Sequence, residues 1–250
     1  ILTFVILANI GLGVTVFLTN TKRKTNQAYL VASTILLFWL LANLFIFYAV
    51  AKRSDLTILA LNAATAISTC TPSSFQLLRL SIKYPSSSWQ NLLRRCAVQI
   101  ILNVVIIFVC FMPSFTQSVE FPAPESTTEL ANPVYGPLFI LYALYFVGSI
   151  CVLGYNLFLD RKRLQGAQRL ESEFLVFACL SGLCIGAVGI LFVLIFKSSA
   201  VMPITNAAGA FTILLIVAYG ITFYKILTVS ALLRMASAYV LLIAYLCAIY

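Results

Sequence analysis

The sequence predicts an all-α protein, a polytopic transmembrane bundle of seven helices with an eighth helix at the C-terminal end. Two observations support this fold class. Apolar residues make up 62% of the 250 residues and charged residues only 9%, whereas soluble domains are about half apolar and about a quarter charged. The apolar residues also fall in continuous runs of about 20, which is the length that a helix needs to cross a bilayer. Runs this long and continuous favour helices over barrel strands.

The runs predict the spanning helices in chain order: 1–19, 29–50, 56–78, 93–113, 135–159, 173–196, 203–224 and 229–250. The first run has no basic segment before it and no visible cleavage site, which favours a helix over a signal peptide. The third run is the least apolar, and its Pro72 predicts a kink. We interpret residues 1–227 as a seven-helix transmembrane domain, and residues 228–250 as a further helix that leads toward a C-terminal part of a longer protein.

The distribution of basic residues predicts the orientation in the membrane. Thirteen of the 16 lysines and arginines lie in the connections that follow helices 1, 3, 5 and 7, and only Lys52, Arg53 and Lys197 lie in the others. Basic residues accumulate on the cytoplasmic side. We therefore expect a multi-pass protein of the cell inner (plasma) membrane with its N-terminus outside. The bilayer is the expected partner, and nucleic acid is not.

The sequence offers little that could carry catalysis. It has no histidine, and none of its seven cysteines has the CxxC spacing, so no metal or other cofactor is expected. A nucleophile–base pair and a phosphate-binding loop are also missing from the sequence pattern. We predict that this segment is not an enzyme.

One set of polar residues in the third run follows a helical period. The residues are spaced 3, 4, 3 and 4 apart, which places them on one helical face: Asn62, Thr65, Thr69, Pro72 and Gln76. Two interpretations are open. The stripe either faces a ligand pocket or forms hydrogen bonds between helices, each worth about 0.6–2 kcal/mol.

Three further features indicate where a signal could enter, leave or be shared. The connection 113–133 is the one long loop, and its carboxylates are either ligand contacts or parts of a solvated tether: Glu120, Glu125 and Glu129. The expected signal exit follows helix 7, at Tyr224, Lys225 and Arg234. Gly182 and Gly186 form a GxxxG pair, which either packs within the bundle or forms a homodimer interface.

Several segments carry a resemblance to a known family. They are the basic turn Asn20–Asn26 before a helix with a central Trp39, the sequence Phe75-Gln-Leu-Leu followed by the aromatic-proline exit Lys83-Tyr84-Pro85, the loop closure Pro133–Pro137, the basic linker Arg161–Glu173, and the helix 7 exit Ala218–Leu227. In these features the chain resembles the N-terminal seven-transmembrane region of bacterial sensor histidine kinases, the input domain of two-component systems.

The resemblance implies a membrane-embedded sensory input domain that passes a stimulus to a cytoplasmic output domain in the same chain. The stimulus would be an unknown small ligand or a change in the membrane. The output domain is commonly a histidine kinase, which leaves open whether the full-length protein is an enzyme. The alternative function is a permease of neutral small molecules, because no ionisable residue lies in the middle of any run.

Overall fold

The computed structural model describes residues 2–52, 56–121, 132–196 and 201–223. They form seven helices and one two-stranded sheet, in the order α1 (Leu2–Thr19), α2 (Lys24–Ala51), α3 (Leu56–Lys83), α4 (Trp89–Cys110), β1 (Thr116–Glu120), β2 (Asn132–Tyr135), α5 (Phe139–Arg163), α6 (Gly166–Phe196) and α7 (Val201–Phe223). The predicted eighth helix lies outside the described residues.

Six of these helices are long and apolar enough to cross a membrane, namely α1, α2, α4, α5, and the segments Gly166–Gly189 of α6 and Thr205–Thr222 of α7. This composition confirms the all-helical class and a multi-pass membrane protein. The surfaces of the helices agree with it, since large apolar side chains such as Val98 and Phe108 are mostly exposed. In a bilayer these side chains contact lipid.

The helix α3 is long enough to cross a membrane but is more polar than the other six. It packs against α2, α4, α5 and α6, and against β1. Every residue from Pro72 to Ile82 is buried, and the helix continues through Pro72 to Lys83. A helix surrounded by protein does not need an apolar surface toward lipid. The position of α3 in the bundle therefore explains its weak hydropathy.

The helices extend beyond the apolar runs at one end of the bundle. The helix α2 begins at Lys24, α5 ends at Arg163, and α6 begins at Gly166. A hydropathy run measures the part of a helix that crosses hydrocarbon, whereas the helix itself continues through the interfacial layer. The predicted boundaries are wrong by several residues at this end for that reason.

The long connection between α4 and α5 is not a simple loop. Its two ends form an antiparallel hairpin in which Val119 pairs with Pro133. Tyr135, which the sequence assigned to helix 5, belongs to β2 instead, and α5 begins only at Phe139. The turn at Gly136 explains the break, because a Cβ atom there would lie 2.1 Å from the carbonyl oxygen of Ser114. The chain passes too close to itself for a helix to start earlier.

The main hydrophobic core lies among α1, α2, α3, α5, α6 and α7. Its largest buried side chains include Tyr29, Leu78, Leu175 and Leu214. The Tyr29 hydroxyl donates a hydrogen bond to the carbonyl oxygen of Leu214 at 2.9 Å, so that its one polar atom is satisfied inside the core. This contact joins α2 to α7.

Candidate functional site

The buried charges of the described residues lie at one end of the bundle, which we call the basic end. It is formed by the α1–α2 turn, the α3–α4 connection, the α5–α6 turn and the end of α7. Ion pairs connect the helices there, Arg23 with Glu171 of α6 and Arg79 of α3 with Asp160 of α5. The sequence predicts that this end faces the cytoplasm.

Asp160, near the end of α5, is a buried carboxylate that pairs with two cations of α3. Its Oδ2 accepts a hydrogen bond from Arg79 Nε at 2.5 Å, and its Oδ1 accepts one from Lys83 Nζ at 2.6 Å. The Asp160 side chain is 1% exposed and that of Arg79 is 7% exposed. Two cations from consecutive turns of α3 thus share one carboxylate of α5, and the cluster carries a net positive charge.

A second buried carboxylate, Glu171 of α6, binds Arg23 of the α1–α2 turn. The same guanidinium donates from Nη1 to the carbonyl oxygen of Ile221 at 3.4 Å. We call these three residues the Arg23 clamp. It connects the α1–α2 turn with α6 and with the last turn of α7. Close by, a Cβ atom on Gly220 would lie 2.5 Å from Cβ of Phe174, so α6 and α7 pack very tightly there.

The α3–α4 connection and the first residue of α4 are held to the first turn of α2 by polar contacts. Lys24 Nζ donates a hydrogen bond to the carbonyl oxygen of Ser87, and Trp89 Nε1 donates to Gln27 Oε1 at 2.8 Å. Two cations lie close to the Tyr84 ring, with Arg95 Cζ 4.2 Å and Lys83 Nζ 5.4 Å from its centroid. This connection is therefore ordered by contacts on both sides.

The predicted polar stripe of α3 is turned toward protein. Asn62, Thr69, Pro72 and Gln76 are buried, and Thr65 is half-buried. Asn62 Oδ1 accepts a hydrogen bond from the Thr116 hydroxyl at 2.7 Å, which ties α3 to the hairpin. The hydroxyls of Thr65 and Thr69 donate to carbonyls of their own helix. Gln76 Oε1 is buried and has no hydrogen-bond partner among the described residues.

Other polar residues of α3, outside the predicted stripe, make the contacts between helices. The Ser68 and Tyr142 hydroxyls lie 2.9 Å apart. Tyr145 Oη donates to Asn103 Oδ1 at 2.6 Å and lies 3.4 Å from the Ser73 hydroxyl. Tyr145 therefore joins α3, α4 and α5. Together with Asn62 and Asp160, these contacts form a polar seam along α3 from the hairpin to the basic end.

Two grooves on the described part of the bundle are open and apolar. One, of about 470 Å³, lies between α2, α3 and α4 and includes Phe38, Ala63, Cys70 and Phe111. Another follows the surface of α2 alone, around Phe45 and Tyr48. None of the stripe residues lines either groove. The role of the stripe as a ligand pocket stays a prediction.

The remaining predicted site residues are only partly described. Glu120 is exposed at the end of β1, whereas Glu125 and Glu129 lie outside the described residues, as do Tyr224, Lys225 and Arg234. In the GxxxG pair, Gly182 packs against Ile213 of α7, while a Cβ atom on Gly186 would meet nothing within 4 Å. Gly182 therefore serves packing within the bundle.

Sequence reasoning missed the two buried carboxylates, Asp160 and Glu171. Asp160 comes directly after the predicted run 135–159, and Glu171 lies in the basic linker Arg161–Glu173, so neither was assigned a role of its own. Their rarity could have drawn attention to them, since the chain has only seven Asp and Glu residues.

Within the described ranges, no three Cys, Asp or Glu side chains come together in a way that could hold a metal ion. No family model matches the chain, and a search of the curated proteins finds no match.

Proposed function

We propose that this bundle is the membrane-embedded sensory input domain of a larger bacterial signalling protein, a sensor histidine kinase or a relative with another output domain. The resemblance in the basic turn 20–26 and in the exit segment 218–227 motivates the proposal. The observation that carries it is the Arg23 clamp at the inner end of α7, directly before the predicted exit.

The clamp has the properties of a switch element. Glu171 is 1% exposed, and removing its cation would leave a buried charge unpaired. Arg23 itself is 32% exposed and can therefore be reached from the membrane surface. A shift of α7 relative to α6 must stretch or break the contact between Arg23 and the carbonyl of Ile221. A stimulus that binds one α7 position better than the other would then change the population of the two clamp states.

The test is a charge-reversal cycle in the full-length protein, with its output activity as the readout. Arg23→Glu and Glu171→Arg should each change the basal output and weaken the response to the stimulus. The double reversal, which restores opposite charges, should recover both. The matched control is the exposed pair Arg169–Glu173 on the same helix, for which the same reversals should leave output unchanged, because exposed pairs contribute little.

A second arm tests the route through α7. A flexible Gly-Ser insertion after Leu227 should uncouple stimulus from output and leave membrane insertion intact. Unchanged signalling in both arms, with normal protein levels, would reject the sensory proposal. Uptake of a neutral solute such as glycerol by proteoliposomes that contain the chain would instead favour the permease.

A further inference from the structure

We propose that the α3–α4 connection and the start of α4 form a binding site for the headgroup of an anionic phospholipid in the leaflet at the basic end. The site consists of Tyr84, Arg95 and Lys83. It does not depend on the sensory proposal, because it concerns the lipid that the bundle binds and not the output that it controls.

The first argument is the fixed position of the Tyr84 ring. The backbone N–H of Tyr84 donates to the carbonyl oxygen of Leu80 at 2.9 Å. The Tyr84 side chain packs against a small hydrophobic cluster that contains Leu92 and Cys96. The Arg95 guanidinium lies over this ring at 4.2 Å. A guanidinium on an aromatic face is held in place, while its N–H edge is free to bind a phosphate through two hydrogen bonds.

The second argument is the local charge. No Asp or Glu occurs in residues 84–110, and none of the described ion pairs includes Arg94 or Arg95. Asp160 of α5, which pairs with the end of α3, is already shared by Arg79 and Lys83. Lys24 adds a further cation through its contact with Ser87. The surroundings of Arg95 are therefore positive and lack a neutralising side chain among the described residues.

The third argument identifies a lipid, in preference to a free anion. Arg95 begins a helical stripe with spacings of 3, 4 and 3 that continues through Val98, Leu102 and Val105. These three side chains are 74%, 47% and 50% exposed, so they form an apolar surface on α4 that begins one helical turn after Arg95. A phosphate bound at Arg95 would place an attached acyl chain along this surface. Basic pockets next to transmembrane helices bind anionic headgroups in this way.

The chain contains its own probe for this site, because Trp89 lies in the same connection and Trp39 is the only other tryptophan. In the Trp39→Phe variant, fluorescence reports on Trp89 alone. We would reconstitute this variant into phosphatidylcholine nanodiscs at about 0.15 M salt and add either brominated phosphatidylglycerol or brominated phosphatidylcholine. Quenching at equal mole fraction gives the relative affinity for the two headgroups.

We expect phosphatidylglycerol to be preferred about fivefold, which is the contribution of the one cation, Arg95, that is held against the headgroup. Arg95→Gln and Tyr84→Leu should abolish most of the preference. The matched control is Arg94→Gln, which removes the same charge at the same depth from a residue that is not on the Tyr84 ring, and it should keep most of the preference. Lipid retained by the purified wild-type chain, measured by native mass spectrometry, checks the result without the Trp39 substitution and should show the same preference.

Three outcomes would overturn the proposal. Equal quenching by the two lipids in the Trp39→Phe chain, together with no excess of phosphatidylglycerol on the wild-type chain, would show that no such site exists. Equal losses in Arg94→Gln and Arg95→Gln would show diffuse attraction to the surface. Displacement of phosphatidylglycerol by inorganic phosphate would show a site for free anions.

Discussion

Arg79 and Asp160 form an ion pair that is buried between α3 and α5, with Nε of Arg79 2.5 Å from Oδ2 of Asp160. The residues are 81 positions apart in the sequence, and the pair joins the most buried helix of the bundle to the last helical turn before the α5–α6 connection. Lys83 completes the cluster from the same face of α3. The pair is the strongest polar constraint on the relative positions of these two helices.

Loss of the Asp160 charge should therefore destabilise the protein strongly. In Asp160→Asn, the buried Arg79 guanidinium loses its counterion, and the expected loss in free energy of unfolding is about 3–5 kcal/mol. The measurement is unfolding of the purified chain in mixed detergent–SDS micelles. Glu173→Gln is the control, because Glu173 pairs only with exposed arginines and should cost at most about 1 kcal/mol. Similar losses in both variants would contradict the central role of Asp160.

The polar seam of α3 predicts a smaller effect at Tyr145. Tyr145→Phe removes the hydroxyl that contacts Asn103 and Ser73, and should lower the free energy of unfolding by about 0.6–1.7 kcal/mol. Tyr155→Phe, at a residue that is 65% exposed on the same helix, should be neutral. The same SDS titration measures both. An equal effect of the two substitutions would show that the contacts of Tyr145 are not stabilising.

The close approach of α6 and α7 predicts that any side chain at Gly220 lowers the stability of the protein. Gly220→Ala would place a methyl group 2.5 Å from Cβ of Phe174, and this overpacking should cost about 1–3 kcal/mol. Gly186→Ala, where a methyl group meets nothing within 4 Å, should leave stability unchanged or slightly higher. Thermal unfolding followed by aggregation of the detergent-solubilised chain distinguishes the two. Equal melting temperatures would mean that α7 can move away from Phe174 at no cost.

The charge asymmetry predicts the orientation of the bundle. In a variant that lacks the seven native cysteines, a cysteine in place of Glu125 should react with an impermeant maleimide added from outside. A cysteine in place of Gln165 should react only after the membrane is opened. Labelling of both positions from the same side would show that the number of spans between them is wrong.

The positions of the spans could be predicted from the sequence because lipid imposes the same requirement on every exposed helix face. Run 1–19 and helix Leu2–Thr19 nearly coincide for this reason. The helix ends could not be predicted in the same way, since Lys24 begins α2 and Arg163 ends α5 in turns that continue past the apolar runs. Tyr135 was assigned to a helix because hydropathy does not register the close approach of Gly136 to Ser114.

The polar contacts were less predictable than the spans. The spacing of Asn62, Thr69 and Gln76 correctly indicates one face of α3, but the partner of each residue depends on how far the neighbouring helices are rotated. Ser73 approaches the Tyr145 hydroxyl of α5 and was not among the predicted stripe residues, although it follows Thr69 by four residues and precedes Gln76 by three and so shares their face. Asp160 was overlooked because its importance comes from two cations that lie 81 and 77 positions away in the chain.

The polarity of α3 has a consequence for the biogenesis of the protein. A nascent helix that carries Asn62, Gln76 and Arg79 is a poor substrate for insertion by itself, since each polar group disfavours transfer from the translocon into lipid. Synthesis proceeds from the N-terminus, so Arg79 emerges well before Asp160, its counterion. We therefore expect α2 and α4 to hold α3 until α5 is made, so that insertion of the bundle is complete only when α5 supplies Asp160.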